Sequence, residues 1–302
     1  MQKTLAVIGA TGKQGGSVVR VVLKDFPSYK VRAITRDPTK ESSKELKMLG
    51  CEVVQGDSND PESLKVALAG VDTLFFMTTP APQPDAEYEQ GKTIADAAVA
   101  AGVQFIIFSS LPGANQISGG KYKVFHFDEK FAIEQYIRSS GLNCTFVWPG
   151  LFAQNFFTVL KPRPIGNDVY AIVNCIPGHV KVPLVDISQS IGTFVASILT
   201  SPQQFASKTN VLAGGMYSFD DMAAQLSQST GKKVVYKQLP ESEYLLEAGL
   251  PEPMRLQMIE TFLYIRDFSF AGSQTSQLVQ QGQQIAKLNT LPDFLAANPI
   301  SL

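Results

Sequence analysis

The stretch Val7-Ile8-Gly9-Ala10-Thr11-Gly12-Lys13-Gln14-Gly15-Gly16 puts four glycines into eight residues, directly behind an apolar run. The spacing is Gly9-x-x-Gly12-x-x-Gly15. Residues 5–8 read as a short apolar strand. Residues 14–23 carry Val18, Val19, Val22 and Leu23 at helical spacing. Between a strand and a helix each glycine has a physical role. Gly9 lets the chain turn sharply off the strand, Gly12 lets the backbone approach a pyrophosphate, and Gly15 lets the helix pack close to the strand. Amides at the helix start then point at an anion.

Working outward, the pattern repeats. Strands are predicted at 29–34, 52–55, 73–77, 103–108 and 144–148, alternating with helices at 43–49, 61–69, 85–101 and 125–140. Asp60 is the expected N-cap of the third helix, with Pro61 at its first position and Gly70 behind it. Six strands alternating with helices give an α/β fold, a Rossmann-type doubly wound parallel sheet. After Pro149 the rhythm degrades. Residues 161–166, with Pro162 and Pro164, read as a loop. Helices are expected at 191–199, 219–226, 241–250, 254–265 and 291–295, and short strands at 211–213 and 233–236. The division is therefore a dinucleotide-binding domain over 1–150, with a return segment near 183–213, and a smaller mixed α/β C-terminal cap for a substrate or partner over 151–302.

The end of the second strand selects the dinucleotide. It runs Ile34-Thr35-Arg36-Asp37-Pro38-Thr39-Lys40. An acid at this place binds the ribose hydroxyls of NAD, whereas Arg36, about 20 residues beyond the glycine loop, suits a 2′-phosphate by charge and fork geometry. Lys40 adds a second cation. The expected cofactor is NADP(H). In the competing reading Arg36 and Lys40 are surface charges and Asp37 is the ribose acid. Asp57, after the third strand, is placed to meet the adenine amino group, and Met77-Thr78-Thr79-Pro80 ends the fourth strand in the same crevice.

Composition limits the partners. The chain has 302 residues, 44% hydrophobic and 18% charged, with a formal net charge of −1. Nothing in that balance calls for direct binding to nucleic acid or to an acidic membrane surface. No apolar run approaches the roughly 18 residues of a membrane span. The three cysteines, Cys51, Cys144 and Cys175, show no disulfide or metal-ligand spacing and fit a reducing compartment. No metal site is expected. The cytoplasm is the expected location, with the nucleus as a second one.

The string Gly9-Ala10-Thr11-Gly12-Lys13-Gln14-Gly15 resembles the signature of the atypical short-chain dehydrogenase/reductase group. With Val31-Arg32-Ala33-Ile34-Thr35-Arg36-Asp37-Pro38, Val53-Val54-Gln55-Gly56-Asp57 and His126-Phe127-Asp128-Glu129-Lys130, the chain is similar to the NmrA-like family along nearly its whole length. Its layout resembles the family's animal redox-sensor members. The resemblance implies NADP(H) binding and, often, a regulator that senses cofactor redox state. It implies that Thr11, Gly12, Lys13 and Gln14 hold the pyrophosphate, Arg36 and Lys40 the 2′-phosphate, and Asp57 and Ser58 the adenine. Thr78, Thr79 and Pro80 would border the nicotinamide ribose, Lys130 would reach its hydroxyls, and Phe152 and Asn155 would flank the nicotinamide.

Short-chain dehydrogenases use Tyr-x-x-x-Lys with a serine after the fifth strand. The lysine lowers the tyrosine pKa and the serine orients the substrate carbonyl. Ser109, Ser110 and Lys130 are present here, but the tyrosine position holds His126. Tyr122 lies two turns before Lys130, roughly 12 Å along a helix. The candidate catalytic residues are therefore His126, Lys130 and Ser109. The plain reading of His126 is a packed or solvent-facing helix residue. Two functions remain open. One is an NADP(H)-binding regulator that senses redox state, with protein partners, little or no dehydrogenase activity and a homodimer compatible with it. The other is an NADPH-dependent reductase of a quinone, aldehyde or similar carbonyl. The missing tyrosine favours the regulator. A scaffold with a purely structural cofactor is a third reading.

Overall fold

A computed structural model describes residues 2–80, 83, 85–247 and 252–302. The N-terminal half supplies β1 (Lys3–Ile8), β2 (Tyr29–Thr35), β3 (Glu52–Gln55), β4 (Thr73–Phe76), β5 (Phe105–Ser109) and β6 (Asn143–Pro149). Between them run α1 (Lys13–Asp25), α2 (Glu41–Met48), α3 (Pro61–Leu68), α4 (Ala86–Ala100), the single turn α5 (Ala114–Ile117) and α6 (Phe125–Ser139). The strands form one parallel sheet in the order β6-β5-β4-β1-β2-β3, and a later strand, Thr209–Leu212, joins it outside β6. The order reverses between β1 and β4. Chain connections leave in opposite directions there, so a crevice opens at the carboxyl ends of the strands.

Local sequence explains the elements. β4 and β5 are buried at every residue, because helices cover both sheet faces. The Asp60 carboxylate accepts from the amides of Glu62 (3.1 Å) and Ser63 (3.2 Å), with Pro61 at the first helical position. Val18, Val19 and Val22 of α1 pack with Phe194, Val195 and Ile198 on one face of the sheet. Leu64 and Leu68 of α3, Ile94 of α4 and Ile133 of α6 pack on the other. All three cysteines are buried free thiols.

The chain re-enters this layer after residue 185. Helix α7 (Ile187–Thr200) lies against α1 at a crossing that tolerates no side chain. A Cβ on Gly192 would stand 2.5 Å from the carbonyl oxygen of Ser17. Ser17 Oγ accepts from the Gly192 amide (3.1 Å) and donates to the Gln189 carbonyl (3.4 Å). Buried Glu134 of α6 accepts from Arg138 (2.8 Å), from Trp148 Nε1 on β6 (2.9 Å) and from Thr209 Oγ1 on the returning strand (3.2 Å).

The remaining chain builds two three-stranded sheets, ordered Gly215–Ser218, Lys181–Val185, Leu151–Phe152 and Lys233–Gln238, Val169–Asn174, Arg163–Gly166. The second corrects the loop expected at 161–166. Arg163–Gly166 is an edge strand, antiparallel to Val169–Asn174. Asn167 and Asp168, both at positive φ (53° and 54°), make the hairpin turn, and an edge strand tolerates Pro164. Helix Thr275–Ile285 was not anticipated. Its buried Val279 and Gly282 are separated by glutamines that mask the period. Helices Glu241–Glu247 and Glu252–Phe268 bracket residues 248–251, so the ends expected at 250 and 254 fall on or beside residues outside the described ones. Phe127, Phe156, Phe219, Phe262, Phe270 and Phe294 belong to the core of this half. Among the described residues, no helix is long and apolar enough to cross a membrane.

The α1–α7 crossing yields a prediction. Gly192→Val should lower unfolding free energy by about 1–3 kcal/mol, the usual cost of overpacking. Urea denaturation measures it, and the loss should appear as a lower midpoint at unchanged slope.

Candidate functional site

The site begins where β1 ends. Gly9 has φ of +77°, a left-handed conformation that only glycine takes without strain. The turn closes with the Gly12 amide donating to the Gly9 carbonyl (2.9 Å), and α1 starts with the Gly16 amide donating to Gly12 (2.8 Å). A Cβ on Gly15 would lie 2.3 Å from the Gly9 carbonyl oxygen. Gly12 is the extended N-cap residue, and no side chain caps the helix. Thr11, Gly12 and Lys13 are exposed, so the first-turn amides and the positive end of the helix dipole face outward. This cradle fits a pyrophosphate by shape and charge.

At the ends of β2 and β3 the two readings of residues 36 and 37 separate. The Asp37 carboxylate accepts from the Thr39 amide (2.9 Å) and hydroxyl (2.6 Å). Those bonds hold its pKa below the usual carboxylate range. Asp37 is thus tied into its own turn. Arg36 and Lys40 are exposed, and neither side chain has an ion-pair partner among the described residues. The Arg36 carbonyl accepts from Gln55 Nε2 (3.3 Å), which joins the ends of β2 and β3. Asp57 and Ser58 follow β3, half-buried, and Asp57 also accepts from the Asn59 amide (2.9 Å).

Beyond β4 the sequence reading was incomplete. Thr78 is buried, while Thr79 and Pro80 are exposed. Lys130 of α6 is buried and directs its ammonium at the Thr78 carbonyl (3.0 Å), at Thr78 Oγ1 (3.1 Å) and at the carboxylate of Glu87. Glu87, in the first turn of α4, is 1% exposed. An ammonium has three protons, and all three have partners here. Burial pulls the Lys130 pKa down, and Glu87 opposes that shift. No local signal marked Glu87, which reads in the sequence as an ordinary acidic helix start.

The other candidates converge on the same place. Ser109 Oγ, at the end of β5, donates to Gln14 Oε1 of the glycine loop (2.8 Å). Ser110 Oγ donates to the Lys130 carbonyl (3.2 Å). His126 is half-buried, with its pKa pushed down to about 4 by burial and by Lys130. Tyr122 precedes α6, and its phenol donates to Asp267 Oδ2 (2.6 Å). It is held there by the far end of helix Glu252–Phe268. His179 lies apart, in a separate cleft with Lys181 and Arg266.

Gln14, Ser109, His126, Lys130, Phe152 and Asn155 all line one cavity of about 230 Å³. Its other walls are largely apolar: Leu111 and Phe127 from the first half, Val182 and Pro183 from the small sheet, and Met258, Phe262, Ile265 and Phe270 from the C-terminal part. Gln154, between Phe152 and Asn155, fixes this segment. Its amide donates to Asp186 Oδ1 (2.7 Å), and its carbonyl accepts from the Ile187 amide (3.3 Å). The structure thus joins the glycine loop, the β4 and β5 ends, α6 and residues 152–155. Arg36, Lys40, Asp57 and Ser58 lie at the ends of neighbouring β2 and β3 and do not line the cavity.

Relatives match the chain over most of their length. Oxidoreductase FrzB of a Cladobotryum species, an NmrA-like family domain-containing protein, is 32% identical over 279 residues, covering 85% of this chain and 83% of that one. Citrobacter triphenylmethane reductase, solved in complex with NADP(H), superposes with a TM-score of 0.79 at 29% identity, over 97% of this chain and 99% of that one. NmrA, a negative transcriptional regulator solved with NAD, gives 0.84 at 23% identity, over 100% and 99% of the two chains. That last likeness speaks for the fold alone. A sequence profile of the NmrA-like family matches residues 1–295, and the chain belongs to the NmrA-like family.

Proposed function

We propose that the chain binds NADP(H) and acts as a reductase that passes hydride to a small, apolar, conjugated acceptor. The observation that carries this reading is the cavity beside His126 and Lys130. Its volume, about 230 Å³, lies just below the roughly 300–1,000 Å³ typical of drug-sized ligands, so it suits one or two rings. A protein that only senses its cofactor has no need of an apolar chamber opened against the same residues.

The residues divide the work. The exposed first-turn amides of α1 bind the pyrophosphate, and Arg36 with Lys40 binds the 2′-phosphate. Asp57 and Ser58 border the adenine, and Thr78 the ribose. Bound NADPH supplies the hydride. Phe152 and Asn155 flank the nicotinamide, while Leu111, Phe262 and Phe270 exclude water. None of the usual proton donors is free. Ser109 donates to Gln14, Lys130 donates to Thr78 and Glu87, and the tyrosine position holds a neutral imidazole. Hydride addition without a protein acid suits a quinone or a delocalised cation, in which the added electrons are accommodated without a concerted proton. A simple ketone forms a basic alkoxide and is disfavoured. The kinship with triphenylmethane reductase and FrzB is consistent with this chemistry. The missing tyrosine and the layout resemblance to the family's redox-sensor members stand on the side of a redox-sensing regulator.

Three outcomes test this. NADPH oxidation with a panel of acceptors should be fastest with one- and two-ring quinones and cationic diarylmethyl dyes and slowest with aliphatic ketones; no turnover with any acceptor would leave the regulator. Arg36→Ala should weaken NADPH binding by about 10- to 100-fold, the worth of one charged hydrogen-bonded contact, and leave NADH binding nearly unchanged. The third concerns stability. His126 binds its proton more weakly folded than unfolded, so its contribution is fully present above the ordinary histidine pKa. It is lost progressively as pH falls from about 6.5 to about 4. Thermal melts should show a shallower acid decline for His126→Gln than for the native chain over that window.

A further inference from the structure

The buried pair Glu87–Lys130 asks why a carboxylate that is 1% exposed sits behind a cofactor crevice. An unpaired ammonium in this position would carry a large desolvation cost, and a well-placed counter-ion offsets it. Glu87 lies in the first turn of the 15-residue α4, where the helix dipole also favours its ionised form. Thr78 completes the arrangement. Its hydroxyl donates to Glu87 Oε1 (2.6 Å) and accepts from Lys130 (3.1 Å), and its carbonyl accepts a second ammonium proton (3.0 Å). Three elements, β4, α4 and α6, are thereby joined at one charged centre on the cavity wall.

We propose that Glu87 is a positioning residue of the cofactor site: it fixes the Lys130 ammonium against the end of β4 as a stationary positive charge beside the cavity. On this account Lys130 does not swing between partners and does not release a proton during turnover. It stabilises the anionic cofactor by charge and holds the Thr78 backbone in place. The other groups around it are consistent with that role. Glu129, the neighbour of Lys130 on α6, accepts from the Asp85 amide (3.2 Å) through one oxygen, and its other oxygen is buried without a partner among the described residues. His126, one turn earlier, is neutral. The groups contributed by β4 and β5, Thr78, Ser109 and Ser110, are uncharged. Glu87 is therefore the carboxylate in direct contact with the ammonium, with Glu129 and Asp85 further out.

The inference rests on reading the site as an NADP(H) site, and its test reads cofactor affinity, so it does not depend on turnover. NADPH is titrated against the native chain, Glu87→Gln, Glu87→Asp and Lys130→Met between about pH 6 and pH 9, a range in which an unpaired buried lysine titrates. The native chain should bind with nearly constant affinity. Glu87→Gln should match it at the acid end and weaken by about tenfold toward the alkaline end, approaching Lys130→Met. Glu87→Asp should restore most of the flat profile. A merely structural Glu87 would weaken binding equally at every pH. If Glu87→Gln does not fold, the double variant Glu87→Gln/Lys130→Met decides. A folded double variant with the affinity of Lys130→Met supports the charge pair, and failure to recover overturns it. A pH-independent Glu87→Gln would also overturn it. A native chain that binds no NADPH would instead overturn the site reading itself.

Discussion

The backbone of Gly9 passes so close to Gly15 that a single methyl group would collide with its carbonyl oxygen, at 2.3 Å. That approach sets the start of α1 against the end of β1 and leaves the helix amides facing the crevice. A second close passage, Gly192 against Ser17, seats α7 on α1 and brings residues 187–212 back onto the sheet. Two parts of the cavity wall follow from these approaches. The first places Gln14 within reach of Ser109. The second anchors the segment through Asp186, which holds Gln154 and so orients Phe152 and Asn155.

On the proposed reading, the electrostatics of the site are those of a fixed field. Lys130 is buried and fully hydrogen-bonded, with Glu87 opposing the downward pull of burial on its pKa, and its presence helps keep His126 neutral. Such an arrangement costs nothing to reorganise when charge moves, the feature that makes preorganised sites effective. On the proposed reading it also narrows the chemistry: a hydride would be delivered without a protein-borne proton to follow it. The loss of tyrosine from the usual motif then reads as a change of acceptor class more than as a loss of catalysis.

Much of the first half was legible in the sequence because its signals are local. Apolar strands, glycine turns and the Asp60-Pro61 cap each declare themselves within a few residues. Arg36 and Asp37 stand side by side at the end of β2, and the structure adds to the sequence reading that Asp37 is tied to Thr39. Glu87 was not legible, because it lies 43 residues from Lys130 and meets it only where α4 packs on α6. Nor was the cavity, whose apolar walls come from residues 258–270 and from the small sheet at 182–183. The hairpin at Asn167-Asp168 was hidden for a different reason. Its flanking prolines outweighed a turn signal that favours strands on either side.

Hydride transfer without a protein acid is the central claim, and isotope transfer tests it most directly. NADPH deuterated at the transferring carbon is mixed with a cationic two-ring diarylmethyl acceptor, whose new carbon–deuterium bond does not exchange with water, and the reduced product is analysed by mass spectrometry. The account predicts one deuteron per product molecule and a rate nearly constant between about pH 6 and pH 8, because His126 remains neutral across that range and Lys130 stays paired with Glu87. Product without label, or a rate that follows a single ionisation in that window, would contradict it.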